Sequence, residues 1–200
     1  MSTLTSSAGL SFTQLVFSDL ERYRPDRPAN WPRVLIQCIG HPGMVASIIL
    51  RAQQKAHQAG RTRLAFVLRS VGMYLLSADF VPGMDVGPGL LMPHPNGIVI
   101  GNGLRVGANV TFGGGITAGV KQPDAPPEDG FPEICDGAIV LANAVLAGPV
   151  RIGNYAQVGA NTVVLSDVAD NAVVFGVPAK KVATRKAIIP GSYEEIAPAP

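Results

Sequence analysis

Three histidines, His41, His57 and His94, are the side chains of this chain best suited to moving a proton near neutral pH. His94 stands apart from the other two. It lies in Met92-Pro93-His94-Pro95-Asn96-Gly97, where a proline on each side fixes the backbone from which the imidazole projects. A histidine so held can act as a general base toward a hydroxyl. It can equally be an exposed corner residue, and the residue types alone leave both readings open. Asp79, fifteen positions earlier, could accept the other ring N–H and orient the base. His57 falls on a helical pattern and His41 just before it, where solvated or capping roles are expected. A zinc centre would need clustered ligands, and this part of the chain offers a single histidine. There is no P-loop, no GxGxxG after a strand, no G-x-S-x-G and no cysteine pair. Lys180, Lys181, Arg185 and Lys186 could meet a phosphate-bearing ligand or form a solvated face.

The elements that position these groups are read from a period of six. Ile134, Val140, Leu146, Ile152, Val158 and Val164 are all aliphatic, and Ala138, Ala144, Val150, Ala156 and Thr162 precede the last five by two places. Six matches neither the 3.6 of a helix nor the 2 of a strand. It is the hexapeptide signature of a parallel β-helix, in which short strands wind round a triangular prism with about 18 residues per coil. One aliphatic per face points inward, and Gly or Asn takes the corners where positive φ is needed. Upstream, Phe80, Val86, Met92 and Ile98 keep the phase. After a slip of two, Ile100, Val106, Phe112 and Ala118 hold a new one. Fifteen residues is three short of a coil, which places Asp79 and His94 on adjoining turns without stacking them. Gly113-Gly114-Gly115 brings backbone close to a neighbouring coil or to a ligand. The period breaks over 119–133, a polar, proline-rich excursion of the kind that carries function.

The lead-in is helical. Ser11-Phe12-Thr13-Gln14 has capping-box spacing and predicts a helix to about Arg22. Tyr23 to Pro32 reads as a connector, and Arg33 to Ala78 as helical. One helix is expected over Met44 to Ala59, closed by Gly60, and a second over Arg61 to Leu76 with Leu64, Val67, Leu68, Val71 and Leu75 on one stripe. Gly176-Val177-Pro178 ends the coils, and Ala179 to Ala187 reads as a short basic helix. The expected organisation is an α-helical subdomain at 1–78, a β-helix at 79–182 and a tail at 183–200. The composition, 47% hydrophobic and 15% charged with 23 Gly and 17 Pro, suits a large core with many corners. A net charge of +2 gives no broad field for nucleic acid. Two cysteines are too few for a disulfide scaffold. The start of the chain lacks the pattern of a signal peptide, and the apolar run Val45 to Leu50 is too short to span a bilayer. A soluble, cytoplasmic protein is expected.

From Gly60 to Val182 the chain resembles the serine acetyltransferases among the hexapeptide-repeat acyltransferases. The resemblance rests on Gly60-Arg61 with Leu64-Ala65, Ala78-Asp79-Phe80-Val81-Pro82, Gly89-Leu90-Leu91-Met92-Pro93-His94, Gly97-Ile98-Val99-Ile100-Gly101, Val158-Gly159-Ala160-Asn161-Thr162-Val163-Val164 and Gly176-Val177-Pro178-Ala179-Lys180. It implies a left-handed parallel β-helix, acetyl-CoA bound between coils of adjacent subunits of a homotrimer, and direct transfer to an acceptor hydroxyl without a metal. It places His94 on the base position and Asp79 on that of its partner. Gly119, Ala142 and Ala160 fall where small residues line the pantetheine arm, and Lys180 where a basic residue nears the nucleotide. A dimer of trimers through the N-terminal helices is an open extension.

The departures cluster on the acceptor side. Pro93 replaces an Asp before the base, and Gly130-Phe131 replace an Arg and a second His at the end of the excursion. Those three groups are the ones the family uses to hold the ammonium and carboxylate of serine. Asp26-Arg27-Pro28 stands near the place of an Asp-Pro-Ala element. The excursion is two residues longer, and Gly119-Val120-Lys121-Gln122 replaces Gly-Gly-Thr-Gly. Ala197-Pro198-Ala199-Pro200 replaces a terminal isoleucine that docks into a partner sulfhydrylase. The acyl-donor side and the base are kept while the charged clamp is not, which relaxes or redirects the choice of acceptor. The expected function is an acetyl-CoA-dependent O-acetyltransferase acting on serine, a sugar or another small hydroxyl compound. The rival is a non-catalytic trimeric acyl-CoA-binding scaffold.

Overall fold

The computed structural model describes residues 4–122 and 130–185. Four helices come first: α1 Phe12–Tyr23, α2 Trp31–Gly40, α3 Pro42–Gln58 and α4 Thr62–Leu76. The capping box at Ser11 is formed, Gln14 N–H donating to the Ser11 hydroxyl at 3.2 Å and Ser11 N–H to the Gln14 side chain at 2.8 Å. Helix α2 starts at Trp31, earlier than the sequence pattern indicated. Asn30 caps it through Arg33 N–H, and Pro32 sits in the first turn, where no N–H is needed. Pro42 likewise opens α3 ahead of the expected Met44. Among the residues of α4 only Ala65 and Gly72 are buried. Its small side meets α3, Gly72 lying against Ile49, while Val67, Met73, Tyr74 and Leu75 are exposed at 59, 43, 89 and 67%.

Two-residue strands then build three faces. The first holds β1 Asp79–Phe80, β3 Val99–Ile100, β6 Thr117–Gly119, β9 Val145–Ala147 and β12 Val163–Val164. The second holds β2 Asp85–Val86, β4 Arg105–Val106, β7 Glu133–Ile134 and β10 Arg151–Ile152. The third holds β5 Thr111–Phe112, β8 Ile139–Val140, β11 Gln157–Val158, β13 Ala172–Phe175 and β14 Lys180–Thr184. All ladders are parallel except β13–β14. The domain is a left-handed parallel β-helix preceded by helices.

Register explains each irregularity of the period. Ile134 pairs with Ile152, a coil of 18. Phe80 pairs with Ile100, a coil of 20, and this is the slip of two. Ala118 pairs with Leu146, so ten extra residues leave the prism there. The core takes two residues per face: the strand aliphatics, such as Ile134, Val140 and Leu146, and the residue two places earlier, such as Ala138 and Ala144, all 1% exposed or less. In the upstream coils the same second positions are filled by larger residues, Leu104, Val110 and Ile116, all fully buried. Corner asparagines Asn143 and Asn161 take positive φ and stack, with 3.3 Å between their side-chain amides.

The basic helix expected at 179–187 is not formed. Lys180–Thr184 is β14, antiparallel to β13, because the last coil exposes an unpaired strand edge that outweighs the helical leaning of a Lys- and Ala-rich run. The tip of the excursion, 123–129, and the tail beyond 185 lie outside the described residues. Among the described residues no helix is long and apolar enough to cross a membrane.

Candidate active site

His94 occupies the corner between the third and first faces in the first coil. Leu91 and Thr111 are bridged 20 residues apart, whereas Val99 and Thr117 pair 18 apart. The two extra residues therefore fall between Leu91 and Val99, and they form the enlarged corner that projects His94 into solvent. The corner is held from three sides. Tyr23 donates its hydroxyl to the Met92 carbonyl at 3.0 Å. Burial pushes the Tyr23 pKa up to about 12, so the group remains a donor. Gly43 brings the start of α3 so close that a Cβ there would lie 1.7 Å from the same carbonyl oxygen. Gly97 N–H donates to Ser77 at 2.9 Å, and Gly115 N–H to Asn96 at 2.9 Å.

The triple glycine is explained by neighbouring coils. Cβ atoms at Gly113, Gly114 and Gly115 would meet Ala142 N at 2.5 Å, the His94 carbonyl at 3.1 Å and the Asn143 side chain at 2.1 Å. The corner residues stack into one edge. Asn143 N–H bonds to Gly114 and Asn161 N–H to Ala142, so His94, Gly114, Ala142 and Ala160 follow one another up the prism. Ala142 and Ala160 are exposed there. Lys180 opens β14 opposite Phe175, whose ring covers Gly159 beside Ala160, which places Lys180 at the far end of the same edge.

Gly119 does not join them. It pairs with Ala147 at the other end of the first face, with free space where a side chain would project. From Ala142 to Ala147 the chain crosses that face, roughly 16 Å at about 3.3 Å per residue. Phe131 lies on Gly119's side, its ring 2.5 Å from the position of a Cβ on Gly103. Beside it, on the second face, is an open hollow of about 400 Å³ lined by Gly103, Arg105, Phe131, Glu133, Val150 and Arg151. Arg105 is paired with Glu133 at 3.0 Å and Arg151 with Asp170 at 3.3 Å. This hollow is an edge away from His94. His94, Ala142, Ala160 and Lys180, with Pro93 beside the histidine, thus lie on one edge of the chain, and Gly119, Gly130 and Phe131 lie on another.

Asp79 opens β1, and its N–H bonds to Ile98 at 2.8 Å, just past the His94 corner. Its carboxylate is held by Arg69 of α4, Nε to Oδ1 at 2.5 Å and Nη2 to Oδ2 at 2.7 Å. The ring of His94 makes no hydrogen bond among the described residues. Sequence reading passed over Arg69, Tyr23 and Gly43, because what each meets is far away in the chain or across a helix end. Cys135 is 2% exposed, and burial pushes its thiol up to about 11, so it offers no nucleophile near neutral pH. Among the described residues no group of three or more His, Cys, Asp or Glu comes together as a metal site.

Known proteins share this fold. The family described as bacterial transferase hexapeptide (six repeats) matches residues 131–166. The serine acetyltransferase of Mycobacterium tuberculosis is 32% identical over 160 residues, 80% of this chain and 69% of that protein. Serine acetyltransferases 4 and 2 of Arabidopsis thaliana and the serine acetyltransferase of Haemophilus influenzae are longer, and the chain spans 38, 49 and 48% of them. The crystal structure of Neisseria gonorrhoeae serine acetyltransferase superposes with a TM-score of 0.79 at 31% identity, covering 91% of this chain and 70% of that one. That of Brucella abortus serine acetyltransferase in complex with coenzyme A gives 0.80 at 26% identity, covering 91% and 72%. On that identity, coverage and shared fold, the chain belongs to the serine acetyltransferase family of hexapeptide-repeat acyltransferases.

Proposed function

We propose that the chain is an acetyl-CoA-dependent O-acetyltransferase that passes the acetyl group directly to the hydroxyl of a small acceptor. The observation that carries this reading is the single edge on which His94, Ala142, Ala160 and Lys180 follow one another. A narrow pantetheine arm fits a wall of small residues, and Lys180 suits the phosphates at its far end. His94 takes the acceptor's proton as the oxygen attacks the thioester carbonyl. The tetrahedral adduct then collapses, and the imidazolium returns the proton to the leaving CoA thiolate. Corner N–H groups can polarise the thioester oxygen. Gly119, on the opposite edge, meets this arm only from a neighbouring copy, which supports a cleft between subunits of a homotrimer. The coenzyme A complex of the Brucella relative supports the choice of donor.

Serine is the acceptor that the relatives' names indicate. The packing of Phe131 on Gly103, where the family carries charged groups, supports a wider choice, a sugar or other small hydroxyl metabolite among them. The test measures CoA thiol release from acetyl-CoA with L-serine and a panel of sugars and hydroxylated metabolites. Turnover with at least one acceptor is expected, with a loss of about a hundredfold or more in His94→Ala. Undiminished turnover in that variant removes the base assignment. Binding of acetyl-CoA without turnover on any acceptor supports the scaffold instead.

A further inference from the structure

The group in firmest contact with Asp79 is one the reaction above does not use. Arg69 reaches the carboxylate from α4 through a two-pronged fork, at 2.5 and 2.7 Å. The two side chains are 27 and 19% exposed, so the pair is partly withdrawn from water. Hydrogen bonding to Asp79 raises the Arg69 pKa further above its usual value. A pair of this kind on an open surface contributes little to stability. This one sits at a junction. Helix α4 ends at Ser77 in the left-handed conformation, φ 51°. The Ser77 carbonyl accepts Gly97 N–H, and Asp79 N–H donates to Ile98. The end of α4, β1 and the His94 corner are therefore one hydrogen-bonded unit.

We propose that Arg69 is a positioning residue for the base: it fixes the Asp79 carboxylate so that its remaining lone pairs can receive a ring N–H of His94. The proposal rests on His94 being the base. Each carboxylate oxygen can accept more than one hydrogen bond, so the fork leaves room for the imidazole. Strand β1 is two residues long and cannot by itself hold the side chain at its open end. A planar fork does so, and a lysine, as a point charge, does so less well. Nothing in the spacing of α4 marked Arg69, because the residue acts through a turn and a strand rather than through its own helix face.

Two measurements on the whole chain test this. The first needs no acceptor. Long-range proton–nitrogen NMR spectra report the tautomer of each of the three histidines, with His94→Gln identifying the signals of His94. A single dominant tautomer is expected for His94 in the wild type, a mixture in Arg69→Gln, and an intermediate state in Arg69→Lys. Identical His94 signals in all three overturn the proposal. The second is kinetic. Arg69→Gln is expected to lower kcat by about ten- to a hundredfold while the KM for acetyl-CoA moves by less than about twofold. Arg69→Lys is expected to recover part of the loss. The double variant Arg69→Gln with Asp79→Asn should be no slower than Asp79→Asn alone. Additive losses, or an Arg69→Gln enzyme as fast as or faster than wild type, overturn the proposal. If Arg69→Gln fails to fold, Arg69→Lys and Asp79→Asn carry both tests. If His94→Gln keeps full turnover, the base assignment fails by itself, and the tautomer measurement still decides the contact.

Discussion

Gly43 shows how one missing methyl sets the geometry around His94. Within a helix, glycine is ordinarily about 1 kcal/mol worse than alanine, so replacing it should stabilise. At Gly43 the added carbon would lie 1.7 Å from the Met92 carbonyl oxygen and 2.5 Å from the Tyr23 hydroxyl. Either α3 or the corner that carries His94 has to move. Gly43→Ala is therefore expected to destabilise by about 1–3 kcal/mol, the usual cost of overpacking, and to lower turnover as well. Gly40, at the end of α2, has nothing within 4 Å of the same position. Gly40→Ala is expected to be neutral or stabilising by up to about 1 kcal/mol. Urea unfolding of the two variants, with thiol-release rates for each, checks the contrast, and equal effects at the two sites would remove the argument. The corner that carries His94 was legible in the sequence because its flanking prolines and the slip in the period beside it are local. Gly43, Tyr23 and Arg69 were not, because their partners lie 49, 69 and 10 residues away on other elements.

At the scale of elements, the helices are fixed to the prism by a buried ion pair. In the sequence Arg51 is merely the residue that ends an apolar run. In the structure Arg51 and Asp19 are both fully buried, with Nε to Oδ2 at 2.9 Å and Nη2 to Oδ1 at 2.8 Å. Arg51 also donates to the Val86 and Gly87 carbonyls, and Asp19 accepts Leu90 N–H. Helices α1 and α3 thus grip the first coil one face before the His94 corner. Removing one partner strands a charge inside the fold. Arg51→Met and Asp19→Leu are expected to cost about 3–5 kcal/mol each. The pair Arg51→Met with Asp19→Leu should cost less than the sum of its single changes, while the unsatisfied carbonyls keep it below wild type. A double-mutant cycle in urea measures this, and strictly additive losses would show that the two do not act as a pair. The coils were legible because the six-residue period is a local signal repeated many times. The end of the prism was not: the helical leaning of Lys180–Thr184 is overridden by the open edge of β13, which only the completed last coil creates.

At the scale of the whole molecule, the proposed site is split. His94, Ala142 and Ala160 lie on one edge of the prism, and Gly119 and Phe131 lie on another. A single chain cannot fold one edge onto the other, because the first face keeps them apart. A cyclic trimer can, since each copy offers its first edge to the second edge of its neighbour. The uncovered apolar side chains of α4, with Tyr74 89% and Leu75 67% exposed, also call for a covering surface. Light scattering is expected to give three times 20.8 kDa, about 62 kDa, or a multiple of it. A sharper test uses subunit mixing. His94→Ala damages the first edge, and Gly119→Phe fills the open space on the second. Each homogeneous assembly should be inactive, because every interface contains one damaged edge. When the two variants are unfolded together and refolded in equal amounts, an interface works only if the first edge comes from the Gly119→Phe chain and the second from the His94→Ala chain. Each condition holds half the time, so about a quarter of wild-type activity should return if chains assemble at random. Mixing without refolding should return none over the same period if the assembly exchanges slowly. No recovery in a correctly sized refolded mixture would mean that each site is built within one chain, and the division of the site between two edges would have to be abandoned.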